Sequence, residues 1–365
     1  TIFMLNLPKL LQDVFEPKAG ENVIILNDFP KDEEDITEEY IRRKDMAIEW
    51  NKTFQTMAKI GKFTVEPIIY YFPTGGHGTP LPDEAEQDKK KISLLKKLEG
   101  FSKKDIVISI TQYSATGPIS ELVHKQNFRF ASMPMVDMAM TAFQADYKLV
   151  GRKARVLAKK LTEANAAIVT FDTGHEVYFD LRNRTAKIDD GVCTEPGQTI
   201  NLPSGEAYIA PFDEPTSKTK GYIPVYYEKH LVIYEVFKNR IVDVITDSPK
   251  SNQMQKYFKE DPARGNIAEL GLGCNNKATF INNVLQDEKI EGMHWAYGYN
   301  DYMGGSVGVT DFKDPLSAIH VDIIYTKEAK IKVRQILLQF EGKKRVVIME
   351  NSRYSFNMQK EFEKG

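Results

Sequence analysis

Towards the end of the chain, Ile319-His320-Val321-Asp322-Ile323-Ile324 sets an imidazole and a carboxylate two residues apart inside an apolar, β-branched run. In an extended strand, residues i and i+2 project from the same face. His320 and Asp322 would then point one way, and Ile319, Val321 and Ile323 the other. Two such side chains on a rigid strand can ligate a metal ion; a half-buried edge strand with a solvated polar face would read the same way. Three upstream segments carry related signals. In Asn201-Leu202-Pro203-Ser204-Gly205-Glu206, Pro-Ser-Gly predicts a turn, and Glu206 opens a short strand closed by Pro211. Read alone, that segment is a surface turn. In Asn266-Ile267-Ala268-Glu269-Leu270-Gly271-Leu272-Gly273-Cys274, Glu269 is the single charge of a buried-strand pattern. A carboxylate in such a place must be paired, protonated or bound to a cation. Gly271-Leu272-Gly273 is not a nucleotide loop, since it lacks the third glycine and the strand–turn–helix setting. In Gly292-Met293-His294-Trp295-Ala296-Tyr297-Gly298, His294 lies in a small and aromatic strand, where a lone histidine is ordinarily a core residue.

Glu206, Glu269, His294, His320 and Asp322 together make three carboxylates and two imidazoles, the inventory of a two-metal hydrolase site. The ordered blocks Asn-Leu-Pro-Ser-Gly-Glu206, Ala-Glu269-Leu-Gly-Leu-Gly, Asp287-Glu288-Lys289 with Gly292-Met293-His294, Gly304-Gly305 and His320-Val-Asp322 resemble the M29 metallo-aminopeptidases, which include aminopeptidase T and leucyl aminopeptidases. The resemblance spans about residues 105 to 325. It implies that those five residues hold two divalent ions (zinc, cobalt or manganese), with Asp322 as the bridging carboxylate. It also implies a homodimer that releases the N-terminal residue of a peptide by attack of an activated water. Glu288 and Asp287 are the candidates for the general base. The family tyrosine seven residues after the first histidine falls here on Asp301, so Tyr302, one residue later, is the candidate for that hydroxyl. Two other readings compete. His294, His320 and Asp322 alone would form the two-histidine, one-carboxylate triad of a mononuclear Fe(II) site, as in dihydroxypyridine ring-cleaving dioxygenases, whose fold family is similar; the substrate would then be a small molecule. A metal-binding protein that has lost the chemistry is the third reading.

The elements that must position these residues fall into an α/β class, with an N-terminal parallel α/β domain, residues 1–165, followed by a β-rich α+β catalytic domain, residues 166–365. The first half alternates strand and helix: strand Glu21–Asp28, helix Glu33–Lys62, strand Val65–Tyr71, helix Lys91–Gly100, strand Asp105–Ile110 and helix Gly151–Ala166. Pro73–Pro82, rich in Gly and Pro, reads as an exposed connector. From Ala167 onward short β runs dominate, with helices expected at Lys250–Lys259 and Lys277–Val284.

Of 365 residues, 42% are hydrophobic and 27% charged, as in ordinary globular proteins. The formal net charge of −2 removes the electrostatic case for nucleic acid. Lysine runs such as Asp88-Lys89-Lys90-Lys91 read as solvated helix faces or loops. No apolar run reaches the length of a membrane span. The apolar start, Thr1 to Leu7, has no basic n-region and no small-residue cleavage site. With Cys193 and Cys274 far apart, a disulfide framework is not expected, and a cytoplasmic setting fits.

Overall fold

The structure, a computed structural model, describes residues 5–364; Thr1 to Met4 of the apolar start lie outside the described residues. The chain divides into two compact units. One comprises Thr1–Gly151, Asp189–Ser204 and Lys277–Asp287; the other comprises Arg152–Ile188, Gly205–Asn276 and Glu288–Gly365. A composition shift near residue 165 suggests a single cut, but the chain returns twice to the first unit. Thr199–Asn201 pairs with Arg129–Pro134 at the edge of the first unit's sheet, and Leu285 joins its core. Short returning segments carry no compositional signature, which is why the sequence conceals them.

In the first unit, strands Arg129–Pro134, Asp105–Thr111, Asn22–Asp28 and Ile69–Tyr71 lie side by side in parallel. Val23 and Ile25 enter one apolar cluster, Ile24 and Leu26 another. A parallel strand covered on both faces has to be a continuous apolar run, and this one is. Several local expectations shift. The predicted Val65–Tyr71 strand is two pieces, Thr64–Val65 and Ile69–Tyr71, interrupted where Pro67 cannot donate to the ladder. The lysine run is a β-hairpin, Glu84–Gln87 with Lys90–Ser93, turned at Asp88 and Lys89 with φ of 51° and 61°. The helix expected from Lys91 therefore begins only at Leu94. Helix Glu38–Gly61 follows a short 3-10 turn at Glu33–Asp35, and Pro73–Pro82 forms no regular element.

The second unit stacks two antiparallel sheets. A five-stranded sheet carries Glu206–Ile209, Ile267–Gly273, Gly292–Gly298 and His320–Tyr325 side by side, with His320–Tyr325 at one edge. An eight-stranded sheet includes Ala166–Phe171, Lys220–Tyr227, His230–Phe237 and Val333–Gln339. Trp295 donates to the Tyr325 hydroxyl, which donates to the Pro224 carbonyl, and the Phe171 and Tyr325 rings meet 5.2 Å apart, so the two sheets are joined face to face. Helix Pro249–Glu260 forms as expected, whereas Lys277–Asn283 is a loop that precedes a single turn, Val284–Asp287. Both cysteines, Cys193 and Cys274, are buried. Among the described residues no helix is long and apolar enough to cross a membrane.

One buried group in the first unit titrates near neutrality. Asp28 ends its strand by accepting hydrogen bonds from the amides of Gln112 and Tyr113, at 2.7 and 3.3 Å. Burial raises its pKa to about 6, against the lowering effect of those amides and of Arg43. This folded value lies above the unfolded one, so the protonated carboxyl stabilises the fold at pH below about 4. That contribution is lost as pH rises through 6. In urea titrations the stability of the wild type relative to Asp28→Asn is expected to fall by about 2–3 kcal/mol between pH 4 and pH 7. A constant difference across that range would refute this account.

Candidate metal centre

The five-stranded sheet separates its residues by face. In an antiparallel sheet, register partners share a face, and here Tyr208 is opposite Gly271, Gly271 opposite His294, and Glu269 opposite Ala296, which is opposite Asp322. Glu206, Glu269, His294, His320 and Asp322 therefore project from one side. Leu270, Leu272, Met293, Trp295 and Tyr297 fill the other side and are buried in the core. Trp295 and Tyr297 are thus core residues and do not line the site. Glu206, expected from its own segment to sit on a surface turn, is buried at the start of its strand. His320 and Asp322 lie on an edge strand, as their segment predicts, and its polar face turns both side chains toward Glu269.

Glu269 occupies the middle of the cluster. Its Oε1 is 3.1 Å from Nε2 of His294 and its Oε2 is 3.1 Å from Nε2 of His320. Glu206 Oε2 lies 3.1 Å from the same His294 nitrogen, and Asp322 Oδ1 lies 3.5 Å from that of His320. Each ring nitrogen thus faces two carboxylate oxygens, and one N–H proton can serve only one of them. Accordingly, Glu206 Oε2 and Asp322 Oδ1 are buried without a hydrogen-bond partner. A divalent cation would accept all of these lone pairs at once, so the donor set fits two ions sharing Glu269. Among the described residues, three groups bring ligand atoms within 4.8 Å of one another: Glu206–Glu269–His294, Glu269–His320–Asp322 and Glu288–His294–Asp322. Asp322 enters two of these groups, but Glu269, on the central strand, is the carboxylate whose two oxygens are divided between the imidazoles.

Surrounding contacts fix these side chains. His320 Nδ1 is 2.9 Å from the Tyr299 carbonyl, a partner that leaves Nε2 as the ligand nitrogen in the neutral ring. Gly271 leaves room for the other ring: a Cβ at that position would come 1.9 Å from His294 Nε2. Burial opposes ionisation of Glu269, but hydrogen bonds from His294 and His320 prevail and pull its pKa to about 2. Glu288 behaves oppositely. Burial, reinforced by Glu206 and Asp322 and opposed by Lys289, raises its carboxyl well above the usual range. Asp287, the other candidate base, accepts from the amides of Ile281 and Asn283 and belongs to the first unit. The Tyr302 ring is 60% exposed and its hydroxyl is 3.4 Å from His320 Nδ1. Asp301 instead accepts from the Tyr302 amide.

Four residues outside the expected set support the site. Lys289 is fully buried, with Nζ 2.5 Å from Glu206 Oε1 and 2.6 Å from Glu288 Oε1. Its one sequence signal is its position in Asp287-Glu288-Lys289, just before the His294 strand. Asp213, Arg184 and Asn300 hold the Tyr302 loop. Asp213 accepts from Arg184, from Asn300 Nδ2 at 3.0 Å and from the Ser306 amide at 2.9 Å, while Arg184 also donates to the Gly304 carbonyl. Gly304 has a φ of 98°, and a Cβ on Gly305 would collide with the Asn300 carboxamide, which accounts for the glycine pair. Nothing in the local sequence of Arg184, Asp213 or Asn300 signals this long-range network.

Gly271→Ala is expected to displace the His294 ring and weaken Zn2+ binding by about 10–100-fold, the scale typical of disturbed ligand support, while circular dichroism stays unchanged. Unaltered zinc affinity in equilibrium dialysis would contradict the role given to this glycine.

No protein-family model matches the chain, and none of the curated proteins matches its sequence. Solved structures do share its fold. The 2,5-dihydroxypyridine dioxygenase of Pseudomonas putida superimposes with a TM-score of 0.65 at 15% identity, covering 96% of this chain and 97% of that one. Wild-type AmpT from Thermus thermophilus superimposes with a TM-score of 0.57 at 14% identity, covering 96% and 98% respectively. At these identities the likeness establishes the fold: an α/β part together with a β-rich part, the class the sequence predicts.

Proposed function

We propose that this protein is a two-metal hydrolase that removes the N-terminal residue from peptides, a metallo-aminopeptidase of the aminopeptidase T kind. The observation that carries the reading is the division of Glu269 between His294 and His320, with the partnerless oxygens of Glu206 and Asp322 on either flank. Glu206 and His294 would hold one divalent ion, His320 and Asp322 the other, and Glu269 both. Such a pair lowers the pKa of a water and polarises a carbonyl. Glu288, with its raised pKa, is suited to take the proton of the attacking water and pass it to the leaving amine. The Tyr302 hydroxyl would donate to the carbonyl oxygen as negative charge develops on it. The similarity to AmpT supports this reading.

The similarity to a dihydroxypyridine dioxygenase favours a second reading, a mononuclear Fe(II) site on His294, His320 and Asp322. Against it, each of the three convergent groups among the described residues also includes Glu269 or Glu288, a glutamate that such a triad does not use.

Metal analysis and activity distinguish the two. The expected result is two zinc, cobalt or manganese ions per chain, with cleavage of amino-acyl nitroanilides. One iron per chain with oxygen-dependent consumption of a hydroxylated aromatic would establish the second reading instead. Glu288→Gln is expected to lower kcat by about 10²–10⁴-fold, the usual contribution of a general base, with metal content retained. Glu269→Gln should lose at least one ion from a folded chain; full metal content in that variant would reduce Glu269 to a structural role.

A further inference from the structure

Lys289 distributes positive charge unevenly over the ligand sets. Its Nζ contacts Glu206, a member of the Glu206–Glu269–His294 set, and Glu288, a member of the Glu288–His294–Asp322 set. Among the described residues, Glu269, His320 and Asp322 have no lysine or arginine as an ion-pair partner; their ion pairs are with histidines or within the set. With Glu269 counted in both, each of the two outer sets has two carboxylates, but only the Glu206 set has an ammonium in contact with one of them. That ammonium also holds Glu206 Oε1, so Glu206 can offer a cation only Oε2, the oxygen left without a hydrogen-bond partner.

Resting on the two-metal reading above, we propose that the two cation positions are unequal: Glu269–His320–Asp322 fills first and holds its ion tightly, while Glu206–Glu269–His294, beside Lys289, fills second and exchanges its ion. Lys289 sits in the fully buried part of the site, where solvent screens a neighbouring charge poorly. A unit charge a few ångströms from a cation there weakens its binding by about ten- to a hundredfold or more. The reverse role for Lys289, a tie without which neither position assembles, predicts the opposite response to its removal.

The test is a Zn2+ titration of the whole chain by calorimetry and equilibrium dialysis, with bound metal counted by mass spectrometry. The wild type is expected to bind in two steps at least about tenfold apart. Asp322→Asn should abolish the tighter step and Glu206→Gln the weaker one. Lys289→Met should strengthen the weaker step by about tenfold or more and leave the tighter step unchanged. Two equal steps in the wild type, loss of the tighter step in Glu206→Gln, or loss of the weaker step in a folded Lys289→Met chain would overturn the proposal. If Lys289→Met does not fold, the Glu206→Gln and Asp322→Asn assignments still decide the order. Saturation at one ion per chain would refute the two-metal reading itself.

Discussion

Everything in the candidate site depends on one buried carboxylate. Glu269 stands on a strand of seven residues, all of them buried, with strands paired on both sides. Ionised there without partners, it would be prohibitively costly. Its two oxygens are therefore committed to two imidazoles, which must arrive from two different strands. That requirement sets the register of Gly292–Gly298 and His320–Tyr325 against it. A one-residue slip of either strand would turn its imidazole into the core and leave Glu269 uncompensated.

The two faces of the sheet solve different problems. The apolar face, with Trp295, Tyr297 and Met293, holds the sheet against its eight-stranded neighbour and makes the platform rigid. On the polar face small residues are essential. Gly271 admits the His294 ring, and at Gly273 a Cβ would meet the carbonyl oxygens of Ile290 and Glu288 at 2.0 and 2.6 Å. The same glycine thus allows the Glu288-Lys289 segment to pass close to the strand and bring both charges to Glu206. Close approach on one face lets His294, His320 and Lys289 offset the cluster of carboxylates, and packing on the other face holds them in place.

A common fold does not choose the reaction. The same architecture occurs in a dihydroxypyridine dioxygenase and in AmpT, so what distinguishes this chain must lie in the chemistry of its own residues. A glutamate at position 269, a glutamate at 206 and a lysine between 206 and 288 make the cluster rich in carboxylates, and its charge is asymmetric. Asp301 caps the amide of its own neighbour, and Tyr302, on a loop anchored by Asp213, Arg184 and Asn300, brings its hydroxyl to His320.

Period-two patterning determined by itself the common facing of His320 and Asp322, because alternation decides facing wherever one face is apolar, and residue chemistry marked the strands bearing Glu269 and His294. The continuous run of Asn22–Asp28 likewise announced a parallel strand covered on both sides. Glu206 read from its own segment was a surface turn and joined the ligand set only through the resemblance, since burial is a property of what packs over a segment. Tertiary structure alone decided the rest: the two returns of the chain to the first unit, the placement of Lys289 between two acids, and the Asp213 clamp on the Tyr302 loop. The bonds Lys289–Glu206, Asn300–Asp213 and Arg184–Gly304 join residues 83, 87 and 120 positions apart in the chain. Their partners are selected by three-dimensional proximity and by the cost of leaving buried charge unpaired, and neither has a local signature in the sequence.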